Sequence, residues 1–290
     1  MNTITFLGTG TSQGIPMIGC NCHVCTSTNT KDNRLRTSAL IEYEGFKILI
    51  DCGPDFRQQM LREHITDLDA ILLTHQHKDH TGGMDDIRSF NYFKHEAFPI
   101  YAEERVQESL KLEYSYAFSE YKYPGAPEYD LHTITEEPFT ITKRINKSNL
   151  NNCNSNSTNA CNANTCITND FIQKESTKTI TITPIRVMHY KLPILGFRIG
   201  NLVYITDANY IAEKEFEKMK GATVFVINTI REEKHISHFS LSEALEVAAK
   251  VGAKKTYLTH LSHQIGTHQE LLRKLPENVE PAYDGLKARF

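Results

Sequence analysis

Four times in this sequence a short run of β-forming residues gives way to a histidine or an aspartate. Ala70–Thr74 leads into HQHKDH, Ile180–Met188 into His189, Leu202–Thr206 into Asp207, and Lys255–Thr259 into His260. Runs rich in Ile, Val, Leu and Thr read as buried strands. A layered fold whose strands finish at a common edge would gather all of these side chains in one place. Composition constrains the chain far less. With 290 residues, 40% hydrophobic and 23% charged, it can bury a core without disulfides. A net charge of −3, from 32 Lys+Arg against 35 Asp+Glu, provides no basic field to draw nucleic acid or anionic lipid. The longest apolar runs, Ala70–Leu73 and Val224–Ile227, are too short to span a bilayer. The opening MNTITFLGTG has neither the basic nor the apolar region of a secretory signal, so a cytoplasmic location with no membrane contact is expected. Thiols stay reduced there, which makes ligand candidates of the seven cysteines.

Further strands are expected at Thr3–Leu7, Ser38–Tyr43, Phe46–Ile50, Pro99–Ala102, Ile194–Ile199 and Thr223–Ile227. Glu44-Gly45 and Gly200-Asn201 read as hairpin turns. Helices are expected at Pro54–Glu63, Glu103–Glu120, Ile211–Lys220, Leu241–Val251 and His268–Lys274. Ser240 and Glu243 have the spacing of a capping box at the start of the fourth. Hairpins interspersed with helices suggest sheets covered by helices. Residues 146–169, NKSNLNNCNSNSTNACNANTCITN, break the pattern and read as a disordered surface insertion. The spacing of Cys153, Cys161 and Cys166 within it matches no common zinc knuckle.

His75, His77, Asp79 and His80 fall within six residues. Imidazole and carboxylate are the ligands zinc takes when one position must stay open for water. His75 and His77 alternate in an extended segment and point the same way, while Asp79 and His80 can turn to a second ion. With His189, His260 and Asp207 added, two ions would each receive about three ligands, with one carboxylate left to bridge.

HQHKDH resembles the HxHxDH signature of the metallo-β-lactamase fold superfamily, and His189, Asp207 and His260 match its later ligand positions. The similarity covers almost the whole chain apart from the Asn-rich stretch. It implies an α/β (α+β) fold, an αββα sandwich, as a single domain over residues 1–290. It further implies a first metal on His75, His77 and His189, a second on Asp79, His80 and His260, and Asp207 as the bridge. Zinc or manganese would fill both places. Asp51 in ILIDCG matches an early aspartate that supports the histidine loop and is not a ligand.

Ahead of these residues stands GCNCHVC, with Cys20, Cys22 and Cys25. Three thiolates suit a tetrahedral structural zinc, which needs a fourth ligand. The candidates are His23, Cys52 and His263. His23 is cramped between its neighbours and Cys52 sits at a strand end, so His263 in LTHLSH is chosen. GTGTSQGIPMIGCNCHVC, HQHKDH and LTHLSH together resemble the phosphoribosyl 1,2-cyclic phosphate phosphodiesterase branch of the superfamily. That resemblance implies a Cys3His zinc beside a two-metal site, and hydrolysis of a small, cyclic phosphodiester by metal-bound hydroxide.

No side-chain nucleophile is evident, and Asp79 and His238 are the candidate catalytic residues. His238 in HISHFSLSEA lies just before the capped helix, where an anion is favoured. The resemblance places a phosphate-contacting histidine there; the plainer reading is an additional cap for that helix. Arg88 is expected to pair with Asp85 or Asp86. His235 is expected at the surface, as are His23, His64, His95, His132 and His268. A small-molecule substrate is expected, and a homodimer is compatible with it. The rivals are a ribonuclease Z-type tRNA 3′-processing endonuclease, a lactone or thioester hydrolase, and a non-catalytic nucleic-acid-binding zinc protein. The first needs a basic, glycine-rich arm, and the insertion here is Asn-rich with few charges.

Overall fold

The computed structural model describes residues 2–145 and 176–290. The expected insertion at 146–169, with Cys153, Cys161 and Cys166, lies outside them. The first half runs β1 (Thr3–Gly8), β2 (Ser38–Tyr43), β3 (Phe46–Ile50), α1 (Phe56–Arg62), β4 (Ala70–Leu72), α2 (Lys78–Thr81), α3 (Arg88–Lys94), β5 (Phe98–Ala102), α4 (Glu104–Glu113), β6 (Tyr129–Thr133) and β7 (Phe139–Ile145). The second runs β8 (Ser176–His189), β9 (Leu192–Ile199), β10 (Leu202–Tyr204), β11 (Tyr210–Ile211), α5 (Phe216–Met219), β12 (Val224–Asn228), α6 (Leu241–Val251), β13 (Lys255–Thr259), α7 (His268–Leu272), β14 (Val279–Pro281) and β15 (Lys287–Arg289).

These strands form two sheets. One has the order β15-β1-β2-β3-β4-β5-β6, the other β11-β8-β9-β10-β12-β13-β14, with β7 on β8. The period-two alternation of side chains divides the apolar residues cleanly. Ala39, Ile41, Phe46 and Ile48 of the first sheet meet Leu195, Phe197, Val224 and Val226 of the second in the central core. Leu40 and Leu49 face the other way, onto Phe56 and Met60 of α1. Phe225 and Ile227 turn outward onto Leu241, Ala244 and Ala248 of α6. The layers are therefore helix, sheet, sheet, helix, as expected.

In each sheet an antiparallel hairpin leads into parallel strands: β3, β4, β5 and β6 in one, β10, β12, β13 and β14 in the other. β8 lies antiparallel to β9 and β9 to β10, so β8 runs in the same direction as β10. Parallel strands bring their C-terminal ends to one edge, the usual place for a site in such sheets. Asp51, His189, Asp207 and His260 all lie at strand ends of this kind.

Several expected elements differ. The helix expected to reach Glu120 stops at Glu113 and tightens into a short 3-10 turn at Ser115–Ala117. There the Tyr114 hydroxyl donates to the Thr81 carbonyl at 2.8 Å, which fixes the chain end against the histidine loop. The Ile211–Lys220 segment is not one helix but the strand β11, a 3-10 turn at Glu213–Glu215 and the single turn α5.

His268 is buried, not at the surface. Its backbone N–H donates to Asp32 at 2.6 Å, its ring meets Tyr283 edge-on, and its Nδ1 has no partner. Nearby, the enclosed Arg34 guanidinium donates to Thr9 and to the Ala282 carbonyl, and Thr9 donates to Asp284 at 2.8 Å. This network ties the loop before β2 to α7 and to the segment after β14. Burial, with repulsion from Arg34 and Lys31, pulls His268 from its ordinary 6.5 down to about 4. The unfolded chain then binds the proton more readily, so the stability contributed by neutral His268 is complete above about 6.5 and erodes as pH falls toward about 4. Wild type should lose on the order of 2 kcal/mol more than His268→Phe between about pH 7 and about pH 5, read from urea midpoints. Identical pH slopes would show that His268 takes up its proton equally readily in the folded and unfolded chains.

Candidate metal centre

At the common edge the residues form two adjoining groups. His75, His77 and His189 make one and Asp79, His80, Asp207 and His260 the other, with one ligand-type atom per residue within 4.8 Å of every other in its group. The rings of His75 and His77 are 4.6 Å apart, and those of His77 and His189 5.1 Å. His80 Nε2 is 3.3 Å from both Asp79 and Asp207, and His260 Nε2 is 3.3 Å from Asp207. All seven residues expected from the sequence therefore meet, whichever sheet carries them.

Backbone and hydrogen bonds set their orientation. Asp51 accepts from the Thr74 N–H at 2.8 Å, from the Thr74 hydroxyl at 2.9 Å, and from His80 Nδ1 at 2.7 Å. Its role is to turn His80 Nε2 toward Asp79 and Asp207, the support expected of it. His189 Nδ1 is likewise committed, donating to the Ser237 carbonyl at 2.9 Å. Asp51, Asp207 and His260 have φ of 61°, 57° and 55°, in the left-handed region that Asp and His tolerate better than most side chains. That sharp bend just past a strand aims each side chain across the edge. Gly53 admits the histidine loop, since a Cβ there would lie 2.1 Å from the Asp79 carbonyl oxygen.

The donor chemistry fits divalent transition metals. His75 Nε2, His80 Nε2 and both ring nitrogens of His260 are buried without a hydrogen-bond partner. Such lone pairs are costly to bury unless something occupies them. Burial, with repulsion from His80, holds His75 well below its ordinary value, in the neutral form that can ligate. Burial opposes charge on His80 too, yet Asp207, Asp79 and Asp51 push it well above the ordinary value. Asp207 stays well below the usual carboxylate range, because His260 and His80 outweigh the effect of burial. Two carboxylates thus stay ionised in a buried pocket, a charge pattern that calls for cations.

The second expected cluster also assembles. Cys20, Cys22, Cys25 and His263 lie together, with His263 Nδ1 3.4 Å from Cys20 Sγ and 3.3 Å from Cys22 Sγ. Contact with His263 draws the Cys22 thiol down to about 6, whereas burial lifts Cys25 to about 11. The other two candidates fall elsewhere. Cys52 is enclosed in the core under α1, and His23 turns outward to Glu270 at 3.2 Å.

His238 does not cap α6. Ser240 does, its N–H and hydroxyl both reaching Glu243, at 2.9 and 2.6 Å. The His238 ring instead lies 4.7 Å from His189 and stacks on His260 at 4.8 Å, with its Nδ1 buried and unpartnered. His235, expected at the surface, is half-buried 5.2 Å from His238. His132 stacks on Tyr101 and pairs with Asp130, and Arg88 pairs with Asp85 as expected. Sequence reasoning missed Asn228, whose amide holds both backbone groups of Ala208 at 2.8 and 2.9 Å and so braces Asp207. Its only signal was a polar residue closing the apolar run Val224–Ile227.

Comparison with known proteins agrees with this geometry. A family model described as a beta-lactamase superfamily domain matches residues 47–261. The crystal structure of a diphosphatase from the PhnP family superposes with a TM-score of 0.80 at 33% identity, covering 100% of this chain and 98% of that one. The octanoyltransferase of Porphyromonas gingivalis is 38% identical over 285 residues, 97% of this chain but only 50% of its own length. The ribonuclease Z of Methanopyrus kandleri is 41% identical over 54 residues, 18% of this chain and 19% of that protein. The chain thus spans about half the length of the octanoyltransferase, and its match to the ribonuclease Z covers less still. It belongs to the beta-lactamase superfamily, on its PhnP-like branch.

Proposed function

We propose that this superfamily hydrolase cleaves a small phosphodiester, most readily a cyclic one, with two metal ions at the strand edge and a structural zinc beside them. The observation that carries this is the set of buried, unpartnered imidazole nitrogens around Asp79 and Asp207, with His238 next to them. His75, His77 and His189 would hold one ion, Asp79, His80 and His260 the other, and Asp207 both. Zinc or manganese suits these ligands, and such ions supply Lewis acidity and a water ionised near pH ~7. Cys20, Cys22, Cys25 and His263 would hold the third ion, as zinc.

The chain's own groups account for the rest. Asp79 is the more open carboxylate, its side chain 12% exposed against 3% for Asp207, so it is the one better placed to meet a reacting group. The His238 ring lies 4.7 Å from that of His189 and 4.8 Å from that of His260, one residue of each ligand group, and is suited to a phosphoryl oxygen or a departing alkoxide. The similarity to a PhnP-family diphosphatase supports phosphoric ester chemistry. The short match to a ribonuclease Z favours an RNA substrate as the second reading. A net charge of −3 weighs against gripping a polyanion. The octanoyltransferase name belongs to a relative about twice as long as this chain, and acyl chemistry is not carried over from it.

Three experiments test this reading. Protein purified without chelator should contain three transition-metal ions per chain by elemental analysis, since two separate ligand sets assemble. A saturated content of one ion would overturn the two-metal scheme. Cys20→Ser and His263→Ala should lower the melting temperature by about 2–4 °C for each kcal/mol of lost metal binding, while turnover by the folded fraction falls less. Melting like wild type would remove the structural zinc.

His238→Ala should keep wild-type metal content and lose about 10²–10⁴-fold in turnover of a diester with an alkoxide leaving group. A nitrophenolate leaving group needs little protonation, so its hydrolysis should fall much less. Equal losses on both esters would make His238 a phosphate-binding group and not a proton donor.

A further inference from the structure

Residues 229–240 join β12 to α6 without regular structure, yet they orient one candidate ligand and carry one candidate catalytic residue. The Ser237 carbonyl accepts from His189 Nδ1 at 2.9 Å. The His238 ring lies 4.7 Å from that of His189 and 4.8 Å from that of His260. A segment with no ladder of backbone bonds keeps such a shape only if other groups satisfy its peptides. Arg231 does so near its start, donating to the Lys234 carbonyl at 2.9 Å. Asn209 does so from the neighbouring loop. Its amide donates to the Ile236 carbonyl at 3.0 Å, and its side-chain oxygen accepts from the Tyr190 N–H at 2.7 Å, just after His189.

The group nearest the candidate site is His235. It is half-buried, and its ring packs 5.2 Å from that of His238. Its Nδ1 accepts from the Ser237 N–H at 3.3 Å and stands 3.3 Å from the Ser237 hydroxyl. A backbone N–H can only donate, so Nδ1 holds a lone pair and the neutral ring keeps its proton on Nε2. A side chain that accepts from the N–H two residues on makes the turn usually made by Asn or Asp. Here a histidine makes it. The peptide between Ile236 and Ser237 is therefore held on both sides, its carbonyl by Asn209 and its N–H by His235. The next carbonyl along the chain is the one that faces His189.

We propose that His235 is a positioning residue of the metal centre. Its neutral imidazole closes the turn that aims the Ser237 carbonyl at His189 and seats His238 beside His189 and His260. The proposal rests on the reading in which His75, His77 and His189 hold an ion. Because His235 acts through Ser237, it bears on that ion before the one at Asp79, His80 and His260, and not on a zinc at the cysteines. Groups that orient a metal ligand are typically worth about 10–100-fold in metal affinity. A residue acting one step further out belongs at the low end, about tenfold.

Three variants separate the acceptor of this ring from its bulk. His235→Ala removes both, His235→Phe keeps a ring without an acceptor, and His235→Asn keeps an acceptor able to reach the N–H two residues on. Each full-length protein is equilibrated in zinc buffers of stepped free concentration, and ions per chain are counted by elemental analysis. In His235→Ala and His235→Phe, one ion should need about tenfold more free zinc than in wild type, while the others fill as before. His235→Asn should fill like wild type. Wild-type filling in His235→Phe with a loss in His235→Asn would assign the effect to ring packing and overturn the proposal. Equal losses in all three variants, or no loss in any, would overturn it as well.

Amide hydrogen exchange at Ser237 reads the turn itself, whatever the metal content. It should be roughly two- to tenfold faster in His235→Ala and His235→Phe than in wild type and His235→Asn, the worth of one hydrogen bond. If wild type saturates at one ion while this exchange pattern holds, the turn stands and the two-metal reading beneath it falls. Exchange at one rate in all four proteins would overturn the turn.

Discussion

The buried carboxylate of Asp51 sets the terms for the rest of the site. Burial raises it above the usual carboxylate range, against the opposing pull of His80 and Thr74. A charge in that position persists only if its oxygens are fully engaged. Thr74 and His80 engage them, at 2.8 and 2.7 Å in the shortest bonds. Once His80 Nδ1 is committed there, only its Nε2 remains to face Asp79 and Asp207. Thr74 also stands 2.9 Å from His75 Nδ1, so one carboxylate orders two imidazoles on the same loop. Removing Asp51 would leave the ligand atoms in place and their directions undetermined.

Across the edge, the second sheet uses backbone strain for the same end. Asp207 and His260 follow β10 and β13 in left-handed conformations, which the packing around them enforces. Asn228 clamps Ala208 from one side, and the Phe239 N–H reaches the Ala208 carbonyl at 2.8 Å from the other. The N-terminal loop closes this arrangement, with the Leu261 N–H donating to the Thr9 carbonyl at 2.8 Å beside His260. The cysteine cluster then fastens that loop to His263, three residues further on. Folding energy from a metal there would act close to His260 and the candidate metal centre.

Much of this was legible in the sequence, for local reasons. Glu44 and Gly45 both take positive φ, as a two-residue hairpin turn requires, and the strands on either side begin and end where expected. The helix Leu241–Val251 also matches, because its cap and its apolar face lie within one segment. The candidate ligand positions, which the fold brings together, could be read from a repeated pattern of strand followed by His or Asp. What could not be read depends on contacts between distant segments. β7, β14 and β15 mix apolar and charged residues, and each is a strand because a neighbour pairs with it. His268 gave no sign of burial, since Asp32 and Tyr283 are remote in the chain. Asn209 and Asn228 are single polar residues whose meaning appears only when loops about twenty residues apart touch.

The two sides of the strand edge tolerate change to different degrees. The histidine loop after β4 is enclosed between Asp51, Gly53 and Tyr114, so almost any change there disturbs a candidate ligand. The tips at Tyr190 and Ile236 face solvent, and their backbone is held by side chain to backbone bonds from Asn209. Such bonds specify where a backbone lies and leave the side chain at that place free to differ. The enclosed loop and these solvent-facing tips are therefore held by separate interactions.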